Sequence, residues 1–546
     1  MKLIGADIVV KTLISLGIDT VFGYPGSAVL DIYDSFYKHR KKITHILSAH
    51  EQGACHAADG YARASGKVGV VVATSGPGAT NLVTGIAAAH LDSSPLLIIT
   101  GNTSLSNIGT DSFQEVDTMD ITMPITKHNY IVKDIKDLKH IICEGYSIAK
   151  DTRPGPVLID IPSDIQKQRF EFDEACLEFE KHSFAPDKNQ LEAAASLINQ
   201  CKKPLIYVGG GCQNSSCSQN IKKLSQMLCA PIGTSLMGLS VINHDFPYFL
   251  GITGMYEREL TSKIKKDADL IIALGVRFSD RAACNKGNYR ENVKIIHVDI
   301  DPCEINKNIN ATLGIRSDAN TFVSKLLDYI KVSPKTLQTR KALLDSYFKQ
   351  KPQKVECESL TAQYIINCVQ SFCSSDTIIA TDVGQHQLWT AKYYHFSTPR
   401  TFITSGGLGA MGFGLGAAIG ACISGQKRQT VLITGDGSFA MNSNELCTAI
   451  SQNLPIVIVI MNNNSLGLVR QWQDTCYGKR FSSSTLNRKT DFCALAAAYG
   501  AKAQRVTEKS QLDSVLKEAF SSNMPYVVDC HIDINQKVLP MQIQDY

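Results

Sequence analysis

Short, largely apolar β-branched runs recur along the chain, alternating with longer stretches of helical periodicity. Ten read as strands: 68–73, 96–100, 157–161, 205–208, 270–274, 295–300, 378–381, 431–434, 456–461 and 526–530. Runs with no polar face must be covered on both sides, so their alternation with helices predicts parallel sheets flanked by helices. Two polar stretches read as linkers: 171–189, which is charged, and 334–359, rich in Lys and Gln. They separate three units of domain size, predicted at 1–168, 188–333 and 358–535, each an α/β doubly wound parallel-sheet domain.

The first and last units share a grammar. One strand ends in Thr74-Ser75-Gly76-Pro77-Gly78, and a helical stretch leads to Pro95 and a new strand. Another ends in Thr434-Gly435-Asp436-Gly437-Ser438, and a helical stretch leads to Pro455 and a new strand. Thr to Pro is 21 residues in both, which reads as a duplication. In doubly wound domains ligands are expected at the carboxyl ends of the strands.

Composition narrows the function classes. Of 546 residues 44% are hydrophobic and 19% charged, a balance that excludes a disordered or fibrous chain. The formal charge of +4 is spread along the chain and calls for neither nucleic acid nor an anionic membrane. The longest apolar runs, such as 455–461, fall far short of the roughly 20 residues that cross a bilayer. Met1 to Asp7 leads straight into a helical pattern, so no signal or transit peptide is expected, and the location expected is the cytoplasm. Seventeen cysteines without a Cys-x-x-Cys pair read as free thiols, mostly small buried hydrophobes, in a reducing compartment.

The sharpest chemical signal is Gly435-Asp436-Gly437-Ser438, with 24 residues separating Gly437 from Asn462-Asn463. Glycines let backbone N–H groups approach a phosphate, and the helix that opens there favours negative charge. Asp436 is a hard oxygen ligand for Mg²⁺, and the amide oxygen of Asn463 ends the next strand. Gly-Asp-Gly alone is a common turn; the asparagine pair at this spacing makes it a thiamine diphosphate (ThDP) pattern.

From there the chain resembles the ThDP enzyme superfamily, and within it the acetohydroxyacid synthase family. The resemblance is carried by Phe22-Gly23-Tyr24-Pro25-Gly26, His50-Glu51-Gln52-Gly53, Thr74-Ser75-Gly76-Pro77-Gly78, Phe113-Gln114-Glu115, Val383-Gly384-Gln385-His386, Gly406-Gly407-Leu408-Gly409-Ala410-Met411 and Gln471-Trp472-Gln473. It implies catalytic roles for Glu51, Gln114 and Met411. Glu51, just past a predicted strand at 44–48, would hydrogen-bond the pyrimidine N1′, and Met411 would wedge the cofactor into its bent form. It implies ThDP contacts from Pro25, Val383, Gly384, Gln385, His386, Gly409, Gly435, Asp436, Gly437, Ser438, Asn463, Ser465 and Gly467, with Asp436, Asn463 and Ser465 holding Mg²⁺. A satisfied structural histidine is the other reading of His386.

In the middle unit, Gly209-Gly210-Gly211 follows a strand, but Asn214 stands where a dinucleotide fingerprint needs its last glycine. Spacing alone leaves that site open. The resemblance implies a flavin, FAD, kept without redox chemistry and contacted by Arg153, Gly209, Gly210, Thr234, Leu236, Met237, Gly254, Met255, Gly275, Arg277, Arg281, Asp299 and Asp318. It further implies a homodimer or homotetramer with active sites at the dimer interface, a small regulatory subunit, and a transferase joining pyruvate to a second 2-ketoacid. Arg277 would hold the acceptor carboxylate and Trp472 would select 2-ketobutyrate.

Ser27, Ser163, Cys476 and Asn102-Thr103-Ser104 depart from the family's substrate channel. They keep open another acceptor, such as a sugar ketone, or a pyruvate oxidase or decarboxylase. A non-catalytic cofactor-binding module would have lost Glu51 or the metal motif; both are present.

Overall fold

The computed structural model describes residues 2–175, 177, 179–180, 182–284, 289, 293–349, 359–425 and 428–542. All ten apolar runs form strands, within one or two residues of the expected bounds.

The first sheet contains β2 (Thr20–Gly23), β3 (Thr44–Leu47), β4 (Gly69–Ala73), β5 (Leu96–Asn102), β6 (His128–Ile131) and β7 (Pro156–Pro162), in the order β3-β2-β4-β5-β7-β6. The second contains β9 (Pro204–Val208), β10 (Ile232–Thr234), β11 (Phe249–Ile252), β12 (Leu270–Leu274), β13 (Lys294–Asp299) and β14 (Leu313–Arg316), in the order β11-β10-β9-β12-β13-β14. The third contains β15 (Ile378–Thr381), β16 (Phe402–Ile403), β17 (Thr430–Gly435), β18 (Ile456–Asn462), β19 (Lys502–Val506) and β20 (Tyr526–His531), in the order β16-β15-β17-β18-β20-β19. All three are parallel throughout. A short antiparallel pair, β1 (Lys2–Ile4) and β8 (Arg169–Glu171), ties the chain start to the end of the first unit.

Numbered within each sheet, the first and third share the strand order 2-1-3-4-6-5, as a duplication requires. The second has the order 3-2-1-4-5-6 of dinucleotide-binding folds, with its switch point between β9 and β12.

The two duplicated units pack on each other through the helices Glu51–Ser65 and Phe413–Ile423. A Cβ on Gly420 would stand 1.7 Å from the Ala57 carbonyl oxygen, and one on Gly60 would stand 2.1 Å from that of Ala417. Only glycine permits this approach. One hydrophobic core consequently runs from Phe22, Val71 and Ile98 to Leu432 and Ile458.

The second linker is corrected. Pro334–Phe348 is a 15-residue helix, capped by Ser333 and started by proline. The Lys- and Gln-rich surface hides its anchor: Arg340 is buried and donates to the carbonyls of Leu228, Ile198 and Cys201. A guanidinium there answers the C-terminal dipoles of two helices at once. The rest of that stretch lies largely outside the described residues. Every described cysteine is a free thiol.

Candidate active site

The Gly435–Ser438 turn sits where β17 ends and the helix Asp436–Asn442 begins. The Asp436 carboxyl is buried and faces the backbone N–H groups of Gly437, Asn464 and Ser465, so the turn at β17 and the one after β18 share it. Burial pushes it up to about 6. Asn463 is buried beside it in the chain fold: its amide donates to Gln385 Oε1 at 3.3 Å, and its oxygen accepts the Ser465 N–H at 3.1 Å. Ser465 spends its hydroxyl on the Ser484 carbonyl at 2.8 Å. A Cβ on Gly467 would strike Gln385 Oε1 and Asn463 Nδ2 at 2.0 and 2.7 Å.

His386 lies under the same turn. Its Nδ1 would be 2.9 Å from a Cβ on Gly435, and its Cε1 would be 2.8 Å from one on Gly384. Burial lowers it to about 3 against a hydrogen bond to the Asp382 backbone, and its buried Nε2 has no partner among the described residues. Met411 also reaches the turn, its methyl 3.9 Å from a Cβ on Gly437. Gly409, at φ +68°, is within 3.9 Å of Val383 by the same measure.

Glu51 opens the helix Glu51–Ser65, directly past β3, with the His50 side chain capping it. It is buried, and Asn81 Nδ2 donates to its Oε2 at 2.9 Å. Its Oε1 lies 3.3 Å from where a Cβ on Gly78 would stand, so glycine keeps that oxygen uncovered. Gln114, at φ +58°, covers Gly76 two residues earlier, its carbonyl oxygen 2.7 Å from a Cβ there. Pro25 is exposed on the neighbouring loop.

The positions matched to a flavin gather on one edge. Gly209 and Gly210 follow β9; Thr234, Leu236 and Met237 end or follow β10; Gly254 and Met255 follow β11; Gly275, Arg277 and Arg281 follow β12; Asp299 ends β13 and Asp318 follows β14. At the switch point Gly209 and Gly275 touch, a Cβ on Gly209 falling 1.9 Å from the Gly275 oxygen. Asn214 departs from the fingerprint because it caps the helix Ser215–Leu228, accepting from Ser216 and Cys217. Asp318 likewise caps Ala319–Leu326. Arg153 reaches in from the first unit but is bound to Ser93, Asp301 and Glu304. Burial and that neighbouring guanidinium hold Arg277 below the usual arginine range, while burial pushes Asp299 up to about 6.

Trp472, on the helix Gly467–Cys476, joins the second and third units. The Arg281 guanidinium lies 5.8 Å from its ring centre, and it hydrogen-bonds the Tyr256 side chain. The neighbouring Gln471 accepts from Gln385 at 2.9 Å and exchanges hydrogen bonds with the Val538 backbone. The strand-end departures also converge. Asn102 pairs with Pro162, next to Ser163, and Gly101 packs on Ala28, next to Ser27. Asn102 and Thr100 both donate to the buried Asp160, which burial pushes up to about 7. Cys476 stands apart, exposed at the end of its helix.

Three carboxylates that the motifs do not mark hold other segments in place: Asp92, Asp382 and Glu445. Each binds backbone N–H groups of another segment. Asp382 alone had a signal, standing between a strand and Val383-Gly384. Among the described residues no three His, Cys, Asp or Glu side chains group as a metal cage, so a cation at Asp436 depends on amide, carbonyl and ligand oxygens. No described helix is long and apolar enough to cross a membrane.

Comparison with known proteins gives three family matches: the thiamine pyrophosphate enzyme N-terminal TPP-binding domain over 3–121, the central domain over 191–326, and the C-terminal TPP-binding domain over 382–530. Thiamine pyrophosphate is the same compound as ThDP. The chain is 40% identical over 558 residues to the acetolactate synthase large subunit of Haemophilus influenzae, covering 100% of this chain and 97% of that one. It is 39% identical to the isozyme 3 large subunit of Escherichia coli, covering 99% and 96%. It is 40% identical to a probable acetolactate synthase large subunit of Methanococcus aeolicus, covering 97% and 92%. With its three parallel-sheet units and its full length thus matched, the chain belongs to the acetolactate synthase large-subunit family of thiamine pyrophosphate enzymes.

Proposed function

We propose that the chain joins two 2-ketoacids, pyruvate as donor and pyruvate or 2-ketobutyrate as acceptor, at the first step of branched-chain amino acid synthesis. Two pyruvates and a proton give acetolactate and CO₂: the donor's C1–C2 bond breaks and its C2 bonds to the acceptor's C2. That makes the chain a transferase of a two-carbon unit, acting in the cytoplasm. The observation that carries the reading is the seat around Gly435–Ser438, where Asp436, the Asn463–Ser465 turn, His386 and Met411 meet.

This seat fits a diphosphate and Mg²⁺. The His386 Nε2 is buried with no partner among the described residues, the glycines leave room a Cβ would fill, and Asp436 and Asn463 supply hard oxygens. Bound ThDP supplies the carbanion-stabilising chemistry. Glu51 would hold the proton shared with the pyrimidine nitrogen at Oε1, with Oε2 fixed by Asn81. Met411 would support the cofactor from below, and Gln114 would close the rim beside Gly76. The six-loop edge of the second sheet suits FAD without redox use, and Arg277 and Trp472 would meet the acceptor. Exposed Tyr24, Leu47, Phe113, Leu408 and Met441 flank the motifs and support a second copy of the chain completing each site. The relatives' large-subunit names support a small regulatory partner.

A hydroxylated acceptor, or oxygen in a pyruvate oxidase, is a second reading, favoured by the Ser27, Thr103, Ser104 and Ser163 hydroxyls brought to neighbouring strand ends. Pyruvate supplied alone with ThDP and Mg²⁺ separates the two. Acetolactate and CO₂ in equal amounts are expected, without oxygen consumption. Peroxide formed one-for-one with CO₂, or CO₂ without acetolactate, contradicts the proposal.

A further inference from the structure

The glycine-rich segment 406–414 is held at both ends by buried carboxylates from different units. At its exit, Asp382 accepts the N–H groups of Gly412 and Gly414 at 2.9 and 3.1 Å, and Asn442 donates to the Gly412 carbonyl at 3.0 Å. At its entry the holder is Asp92, the last residue of the helix Val83–Asp92 in the first unit. Its Oδ2 accepts the Gly406 N–H at 3.0 Å and its Oδ1 the Gly407 N–H at 2.7 Å. Asp92 is itself aimed by Arg63, whose Nη2 donates to Oδ2 at 3.0 Å; Arg63 also forks onto Asp59 and donates to the Thr404 carbonyl. The second unit closes the entry from its side: a Cβ on Gly406 would be 2.3 Å from Met237 Sδ. Only Leu408 to Met411 lie between the two anchors.

We propose that Asp92 is a positioning residue for the cofactor seat: by gripping Gly406 and Gly407 it sets where Gly409 and Met411 stand. The inference rests on the ThDP reading above. A carboxylate that accepts two adjacent backbone N–H groups and one guanidinium holds a loop better than any neutral side chain of its size. Glycine-rich backbone has the most conformational freedom to lose, so it is the segment most in need of such a hold. Asn at 92 turns one acceptor into a donor and must set it against one of the three partners.

The test compares Asp92→Asn and Asp92→Ala with Asp59→Asn, which disturbs the same ion cluster without touching the loop. Amide hydrogen exchange is measured on the chain without ThDP, then ThDP affinity with Mg²⁺, kcat and KM. In Asp92→Asn the amides of 406–411 should exchange about tenfold faster or more, with the rest of the chain unchanged. ThDP affinity should fall, and kcat should drop by up to about 10²-fold with KM for pyruvate held. Asp59→Asn should lower the melting temperature without either effect. Unchanged exchange at 406–411 in both Asp92 variants overturns the proposal, as do a loosened loop with unchanged kcat and affinity, or the same changes in Asp59→Asn. Should wild type form no acetolactate while the exchange result holds, the functional reading fails and the anchoring stands.

Discussion

Glu445 Oε1 accepts the backbone N–H of His50 at 3.0 Å, across 395 residues of chain, and its Oε2 takes the N–H of Ala49 at 3.2 Å. The third unit thereby grips the residues immediately before Glu51. Thr448 orients the carboxylate from its other side, donating at 2.7 Å. Gly53 makes room for it, since a Cβ there would be 2.0 Å from Oε1. Glu445→Ala should cost about 1–3 kcal/mol, because buried N–H groups lose their acceptor. Glu445→Gln, which keeps an acceptor, should cost less. Chemical denaturation checks both; equal stability of Glu445→Ala and wild type would show the grip to be idle.

Glu51→Gln should leave ThDP binding intact and reduce turnover by at least roughly 10²–10⁴-fold, the range of a lost general acid–base group. The amide retains shape and the contact with Asn81 but offers no ionisable proton. Deuterium exchange at the cofactor's reactive carbon reads this directly. A wild-type exchange rate in the variant would remove Glu51 from the role.

Asp160 links stability to pH. Burial holds its carboxyl up to about 7, offset in part by Thr100 and Asn102, against about 3.9 in an unfolded chain. Between those values the folded chain keeps a proton the unfolded chain has lost. Stability from this group is therefore present at low pH and falls as pH rises from about 4 to 7, by on the order of 4 kcal/mol at the upper limit. In Asp160→Asn the amide can donate to Thr100 and accept from Asn102, so that slope should flatten. Melting curves from pH 5 to 8 on both proteins test it; parallel slopes would contradict it.

Much of this was legible beforehand, and what was hidden has a physical pattern. Interior strands such as β12 and β18 announce themselves because both faces are buried. The edge strands β6 and β19 escape notice because they are half-exposed and carry His, Asn, Lys, Gln and Arg. Glycine and acidic residues at strand ends mark the cofactor seat locally. Asp92 and Glu445 leave no such mark, since their partners are backbone N–H groups more than 300 residues away. The helix Pro334–Phe348 reads as a linker because few of its side chains are buried, Arg340 and Leu344, among mostly exposed polar residues.

Trp472 separates two roles, acceptor choice and packing. Its contacts with Arg281 and Tyr256 put it at the junction of the second and third units rather than in a core. One methylene in an apolar pocket is worth about 1–3 kcal/mol, or roughly 10–200-fold in selectivity. Trp472→Leu should lose much of the preference for 2-ketobutyrate while keeping pyruvate self-condensation. A packing role would instead lower stability and both reactions together.

The central claim, that the chain joins two 2-ketoacids, is met most directly by competition: wild-type chain, ThDP, Mg²⁺, and pyruvate with 2-ketobutyrate at equal concentration. The expected outcome is acetohydroxybutyrate in excess over acetolactate, the two together matching the CO₂ released. CO₂ released without either product would contradict it, while acetolactate alone, with 2-ketobutyrate ignored, would remove the acceptor preference assigned to Trp472.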